Sequence, residues 1–257
     1  MKTFRLWEKD HSLPTELDAY FSSDPVTKAA VLILPGGAYQ HLSEHEGRGY
    51  AEYFNSIGMH AFVLRYSLDP FYYPLPLLDT RRAVRYLRFH AKEFAIDPSK
   101  IIVVGSSAGG HLATLLSEKE EKFPEEGNDA IDSEDYHPSA QVLCYPVILS
   151  TGPYAHLDSF RHLLGERYNK RNNFDSSLLV NQNTPKTFVF ALANDTLVPI
   201  ENTLAYAKAL AKNNIPYECH IFQEGGHGIG LAPKRPSVRL WTTLLRNWLA
   251  ENGFLPN

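Results

Sequence analysis

The run VVGSSAGGHL, residues 103–112, places Ser106 and Ser107 side by side between glycines. A serine hydroxyl attacks a carbonyl carbon at neutral pH only with a general base beside it. At a sharp strand-to-helix turn of the form G-x-S-x-G, small residues are needed two positions either side of the nucleophile, because neighbouring backbone passes close there. Ser107 has Gly105 and Gly109 at those positions, whereas Ser106 has Val104 and Ala108 and does not fit. Ser107 is therefore the candidate nucleophile, at a helix start whose dipole favours developing negative charge.

The partners of such a serine follow it in the order Ser, Asp/Glu, His. Eleven histidines make residue type uninformative, so position must decide. His227 stands in FQEGGHGIG, directly after the last apolar run, in a glycine-rich loop able to bend tightly. Asp195, in ANDTLVP, follows the run TFVFAL. Both fall just past strand ends, on the same rim as Ser107. Glu201, beyond Pro199, and Glu224, before the histidine loop, are worse placed. His111, four residues after Ser107, points back along its helix and reads as a packing residue. His41 and His45, beside Glu44 and Glu46, lack a third placed ligand and the H-E-x-x-H pattern, so no metal is expected. After AVLIL, PGGAY (35–39) presents bare backbone N–H groups at the same rim. The N–H groups of Gly37 or Ala38, with that of Ala108, are the candidate oxyanion donors.

These residues need a scaffold, and the chain alternates short apolar runs with longer stretches of helical period. The runs are AVLIL (30–34), AFVLRY (61–66), IIVVG (101–105), QVLCYPVI (141–148), TFVFAL (187–192) and YECHIF (217–222), with weaker strands near 2–6 and 17–21. Near-continuous apolarity suits parallel strands covered on both faces. Ala83, Val84, Leu87, Ala91 and Phe94 repeat at offsets of three and four, predicting a helix over 79–95 capped by Asp79. Arg81, Arg85 and Arg88 take another side of it, expected to face solvent. Similar stripes predict helices over 203–212 and 237–250. The alternation argues for an α/β fold: one domain over 1–257, built on an about eight-stranded, mostly parallel sheet with helices on both faces. The rhythm breaks at 149–186, expected to be an inserted, lid-like segment too short to build its own core.

The 25 basic and 29 acidic residues give no basic footprint for nucleic acid. Glu118–Asp135 holds nine acids and two lysines, net −7, and is expected to be a solvated loop or frayed helix end. Cys144 and Cys219 are the only cysteines, Cys144 reads as core, and a disulfide is not expected. No apolar run reaches the length of a membrane span, and MKTFRLWEKDHSLPTEL lacks the apolar region of a secretion signal. The expectation is a cytoplasmic protein with no membrane or nucleic-acid partner, a homodimer staying open.

Taken together, PGGAY (35–39), LRY (64–66), DTRRAVRYLRFHAKEFAIDPSKI (79–101), GSSAGGHLA (105–113), YP (145–146), NDTLVP (194–199) and GGHG (225–228) resemble the α/β-hydrolase superfamily. More narrowly, they are similar to the small bacterial acetyl-esterase-like and xylan-esterase-like carboxylesterases, a group related to the hormone-sensitive-lipase-type enzymes. The resemblance runs over nearly the whole chain. It implies Ser107 as nucleophile, Asp195 as acid, His227 as base, and Gly37 or Ala38 with Ala108 as oxyanion donors. The chain departs from lipase-like relatives at PGGAY, where Pro35 and Ala38 replace a histidine and a third glycine, which leaves the donor pair open. The implied activity is hydrolysis of short-chain, chiefly acetyl, esters of sugars or xylan-derived oligosaccharides through an acyl-serine. The implied partner is a small-molecule ester, with no cofactor or metal. Tyr39 and FYYPLP (71–76) are candidates to line the substrate site. Tyr154, His156, Phe160, His162 and Tyr168 of the inserted segment suit a sugar face or a packed lid. An aryl-formamidase-like amide hydrolase or a peptidase would use the same residues, and a catalytically silent binding module is the reading from another class.

Overall fold

The computed structural model describes residues 1–7, 15–124 and 129–256. Its strands are β1 (Lys2–Arg5), β2 (Glu16–Tyr20), β3 (Ala30–Leu34), β4 (His60–Arg65), β5 (Ile101–Ser106), β6 (Ala140–Cys144), β7 (Lys186–Leu192) and β8 (Tyr217–Phe222). Its helices are α1 (Glu44–Ser56), α2 (Leu75–Phe89), α3 (Ala108–Glu118), α4 (Leu157–Leu164), α5 (Ser176–Leu179), α6 (Glu201–Lys212) and α7 (Pro236–Glu251). The strands form one eight-stranded sheet in the order β1-β2-β4-β3-β5-β6-β7-β8. β1 and β2 form an antiparallel edge, and β4 through β8 run parallel.

The apolar runs are continuous because both faces of the central strands are covered. In β3, Ala30, Leu32 and Leu34 join one core cluster, which includes residues of α2, α3, α4 and α6. Val31 and Ile33 join the opposite cluster, with Tyr50 and Phe54 of α1 and Trp241, Leu245 and Trp248 of α7. Strand alternation thus feeds two cores from one short run. Each fully buried branched side chain contributes about 1.5–3 kcal/mol.

Strand order reverses between β3 and β5, and loops leaving parallel strands on either side of such a point open a crevice beyond their carboxyl ends. The loop after β3, the turn after β5 and the loops after β7 and β8 all leave that end of the sheet.

Several expectations change. The run 141–148 leaves the sheet after Cys144, since Tyr145 has a positive φ of 39° and Pro146 has no N–H for a ladder. Helix α2 starts at Leu75, four residues earlier than predicted, because Pro76 in its first turn needs no amide partner there. It ends at Phe89, leaving Ala91 and Phe94 as core residues beyond it. Asp79 is no cap. It is buried within the helix and accepts from Trp7 Nε1 at 2.8 Å, Thr15 Oγ1 at 2.9 Å and the Ser67 N–H at 2.8 Å.

The arginines of α2 do not face solvent either. Arg81 and Arg85 are buried, and Arg81 donates to the carbonyls of Lys119 and Glu121 at 2.7 and 2.8 Å. Arg85 donates to Glu134 O, and Arg88 to Asp135 O and His137 O. Guanidinium groups, with five donors each, satisfy a strandless segment whose carbonyls would otherwise need water. The described parts of 118–135 are therefore docked on α2, while 125–128 lie outside the described residues. Cys144 on β6 and Cys219 on β8 are free, with β7 between them. Among the described residues, no helix is long and apolar enough to cross a membrane.

Candidate active site

Ser107 sits at the turn from β5 into α3 with φ 51° and ψ −118°, a conformation that costs a non-glycine residue of order 1–3 kcal/mol. Neighbouring bonds hold it there. Its N–H donates to Cys144 O at 3.0 Å, and its carbonyl accepts from Val147 and His111. The flanking glycines are required by contact: a Cβ on Gly105 would lie 2.3 Å from Gly109 O, and one on Gly109 would lie 2.1 Å from Leu34 O. Ser106 points away, fully buried, and donates to Tyr50 OH.

The structure brings Ser107, His227 and Asp195 into one hydrogen-bonded line. Ser107 Oγ lies 2.8 Å from His227 Nε2, and His227 Nδ1 donates to Asp195 Oδ2 at 2.6 Å. The other oxygen of Asp195 accepts the N–H groups of Leu197 and Val198 at 3.0 and 2.9 Å. One carboxylate therefore both caps its own turn and fixes the imidazole. The His227 loop is pinned along its length. Asn194 Oδ1 accepts from Gly225 and Gly226, His45 Nε2 donates to Gly228 O, and Tyr145 OH accepts from the Gly230 N–H.

A cavity of about 290 Å³ opens over Ser107 and His227, with Gly37 and Ala38 on its wall. The bend after β3 has positive φ at Gly37, Ala38 and Tyr39, and a Cβ on Gly37 would fall 2.0 Å from His41 O. Gly36 N–H is already engaged, donating to Glu46 Oε2 at 2.9 Å. Among the described residues, the N–H groups of Gly37 and Ala38 make no hydrogen bond. Ala108 opens α3, where first-turn amides lack helical partners. The arrangement can offer an alcohol nucleophile, a base and a set of amide donors around one carbonyl.

The sequence pattern of the BD-FAE family matches residues 17–210. The chain belongs to the BD-FAE family. Its fold is that of the α/β-hydrolases. Endo-1,4-beta-xylanase B of Butyrivibrio fibrisolvens is 35% identical over 88% of this chain, and an acetylxylan esterase of Xylanibacter ruminicola is 29% identical over 78%. The chain spans only 36% and 41% of the length of those two relatives. A crystal structure of an acetyl ester-xyloside bifunctional hydrolase from Caldicellulosiruptor lactoaceticus superposes with a TM-score of 0.92 at 37% identity, covering 99% of this chain and 97% of that one.

In this BD-FAE chain Tyr39 does not line the cavity over Ser107. Its side chain is fully buried, and its hydroxyl donates to His111 Nδ1 at 2.9 Å. Its ring packs edge-on to Tyr66 and His111 within the core. His111 in turn donates Nε2–H to Phe174 O at 2.9 Å, and burial lowers its pKa to about 4, so the ring is neutral. Tyr73 faces away from the cavity, donating to Glu121 Oε2. Of the aromatic residues in the inserted segment, Phe160 is core, whereas His156 and His162 reach the cavity.

Glu46 and Asn194 are the residues that sequence reasoning missed. Pro35 offers the loop no side-chain donor, and the bracing comes from elsewhere: Tyr66 OH donates to Pro35 O at 2.6 Å, while Glu46 holds Gly36. A run of Ser106 OH to Tyr50, Tyr50 to Tyr145 and Tyr145 to Glu46 Oε1 at 2.6 Å completes a buried network under the site. Asn194, next to Asp195, carried a weak signal in that adjacency alone.

Proposed function

We propose that the protein is a serine carboxylesterase that hydrolyses short-chain esters, acetyl above all, of sugars or xylan-derived alcohols. The observation that carries this reading is the Ser107–His227–Asp195 line at 2.8 and 2.6 Å, opening on a small cavity beside free amides. His227 Nε2 takes the Ser107 proton as Oγ attacks the ester carbonyl, and Asp195 fixes the tautomer and stabilises the imidazolium. The N–H groups of Gly37 or Ala38 and of Ala108 bind the oxyanion. One such donor is worth about 3–4 kcal/mol in related chemistry. Collapse expels the alcohol, protonated by His227, and leaves an acyl-serine. Water, deprotonated by His227, then attacks the acyl-serine, and the second oxyanion collapses to free acid and Ser107.

The substrate class draws support from the relatives named as an acetylxylan esterase and an acetyl ester-xyloside hydrolase. A cytoplasmic site of action goes with this reading. Hydrolysis of acetylated xylosides, aryl acetates of increasing acyl length and an aryl formamide by purified protein tests it. The expected result is highest kcat/KM on acetyl esters, abolished in Ser107→Ala. Higher kcat/KM on the formamide, or turnover by Ser107→Ala at the wild-type rate, overturns it.

A further inference from the structure

A second imidazole–carboxylate pair, which the proposed reaction does not use, reaches the cavity through His162. His162 on α4 donates Nδ1–H to Asp69 Oδ2 at 2.6 Å. The same carboxylate beside Tyr72 raises the pKa of its hydroxyl. The Asp69 N–H donates to Tyr39 O at 2.8 Å, tying this pair to the loop that carries Gly37 and Ala38. His162 lines the same cavity as Ser107 and His227. At 24% and 30% side-chain exposure the pair is neither core packing nor a fully solvated surface contact.

The chemistry of the wall defines what it can bind. With Nδ1–H held by Asp69, Nε2 is the polar atom of the His162 ring left to meet a ligand hydroxyl. His156, whose Nδ1 lies 2.9 Å from Ser159 Oγ, and Asp158 and Gln40 share the lining. Among the described residues, Ala38 and Leu197 supply its only apolar side chains. A wall of hydrogen-bonding groups leaves polar atoms unpaired against an alkyl alcohol and pairs them against one with several hydroxyl groups.

We infer that Asp69 and His162 form a recognition site for a hydroxyl of the alcohol half of the ester, making a polyol such as a pyranoside the preferred leaving alcohol. The assignment rests on the esterase reading. Asp69 acts as a positioning residue that fixes the tautomer, and His162 is the contact.

The test compares full-length wild type, His162→Leu and Asp69→Asn on a methyl acetyl-xylopyranoside and on ethyl acetate. His162→Leu is expected to lose about tenfold in kcat/KM on the sugar ester, mostly through KM, since one hydrogen bond is worth about 1–1.5 kcal/mol. Loss on ethyl acetate is expected to stay below about threefold, because that alcohol offers the ring nothing to bind. Asp69→Asn, which keeps the volume but frees the tautomer, is expected to move the same ratio in the same direction and decides the matter where His162→Leu does not fold. Equal losses on both esters, or no change on the sugar ester, overturn the assignment and leave the esterase reading standing. A wild type that cleaves neither ester overturns both.

Discussion

Glu46 Oε2 accepts the Gly36 N–H at 2.9 Å, and its other oxygen accepts Tyr145 OH at 2.6 Å. Tyr145 OH also accepts the Gly230 N–H, and its ring packs edge-on to His227 with centroids 5.1 Å apart. One buried carboxylate therefore ties the amide loop after β3 to the loop that carries the base. Glu46→Gln keeps the shape but removes the charge and turns one acceptor into an NH2 donor, which then faces either the Gly36 N–H or the Tyr145 OH. Charge-assisted bonds of this kind are worth about 1.5–3 kcal/mol. In the proposed mechanism kcat on an acetyl ester should fall about 10- to 100-fold with KM little changed. Steady-state kinetics with a matched melting curve checks this, and a loss confined to KM would count against it.

His111 predicts a pH dependence of stability. Burial lowers its folded pKa to about 4, against an ordinary value of 6.5. Below 6.5 the unfolded chain binds a proton at this residue that the folded chain refuses, so stability falls as pH falls from about 6.5 to about 4. The gap corresponds to about 3 kcal/mol at full development. His111→Gln should therefore show a shallower decline of Tm between pH 7 and pH 4.5 than wild type. Parallel Tm curves would contradict the assignment.

Arg82 anchors the segment after α3 from a buried position. It donates to Asp132 Oδ1 at 2.9 Å, both side chains being 2% exposed, and to Leu6 O at 3.0 Å. Its hydrogen bonds to Asp129 lower that carboxyl to a pKa of about 2. Arg82→Met leaves Asp132 buried beside Arg85, 3.8 Å away, as its partial partner. Removing one member of a buried pair costs about 3–5 kcal/mol, and the remaining arginine places the loss at the lower end. Chemical denaturation should show that loss, while kcat measured well below the melting temperature stays near wild type.

Gly109→Ala tests the elbow without touching Ser107. The added methyl would sit 2.1 Å from Leu34 O and 2.6 Å from Pro35 O, both backbone, so neither neighbour can rotate away. The expected outcome is loss of soluble protein, or soluble protein whose Ser107 no longer reacts with a fluorophosphonate. Normal yield and reactivity would show that the close approach is not required.

The strands were legible because each central run is apolar on both faces, a pattern that needs no knowledge of partners. The meeting of Ser107, Asp195 and His227 at one rim was legible because each follows a strand and lies in chain order. What the sequence hid were side chains whose partners lie far along the chain. Asp79 looks like a helix cap until Trp7, Thr15 and Ser67 are seen around it. Glu46, in the first turn of α1, looks like an ordinary dipole-favoured acid until Gly36 and Tyr145 close on it. The arginines of α2 read as solvated because helical period marks their side of the helix but not the strandless segment that covers it. Tyr39 follows the glycine pair on the rim, and only the distant His111, 72 residues along the chain, shows that its ring is buried.

Ser107 Oγ is proposed as the activated nucleophile, and covalent labelling reads its reactivity at the atom itself. Wild type treated with a fluorophosphonate should gain one adduct by intact mass, mapped to the peptide containing Ser107. Ser107→Ala should gain none, and His227→Ala and Asp195→Ala should label far more slowly. A single adduct on any other residue, or equal labelling of Ser107→Ala, would contradict the account.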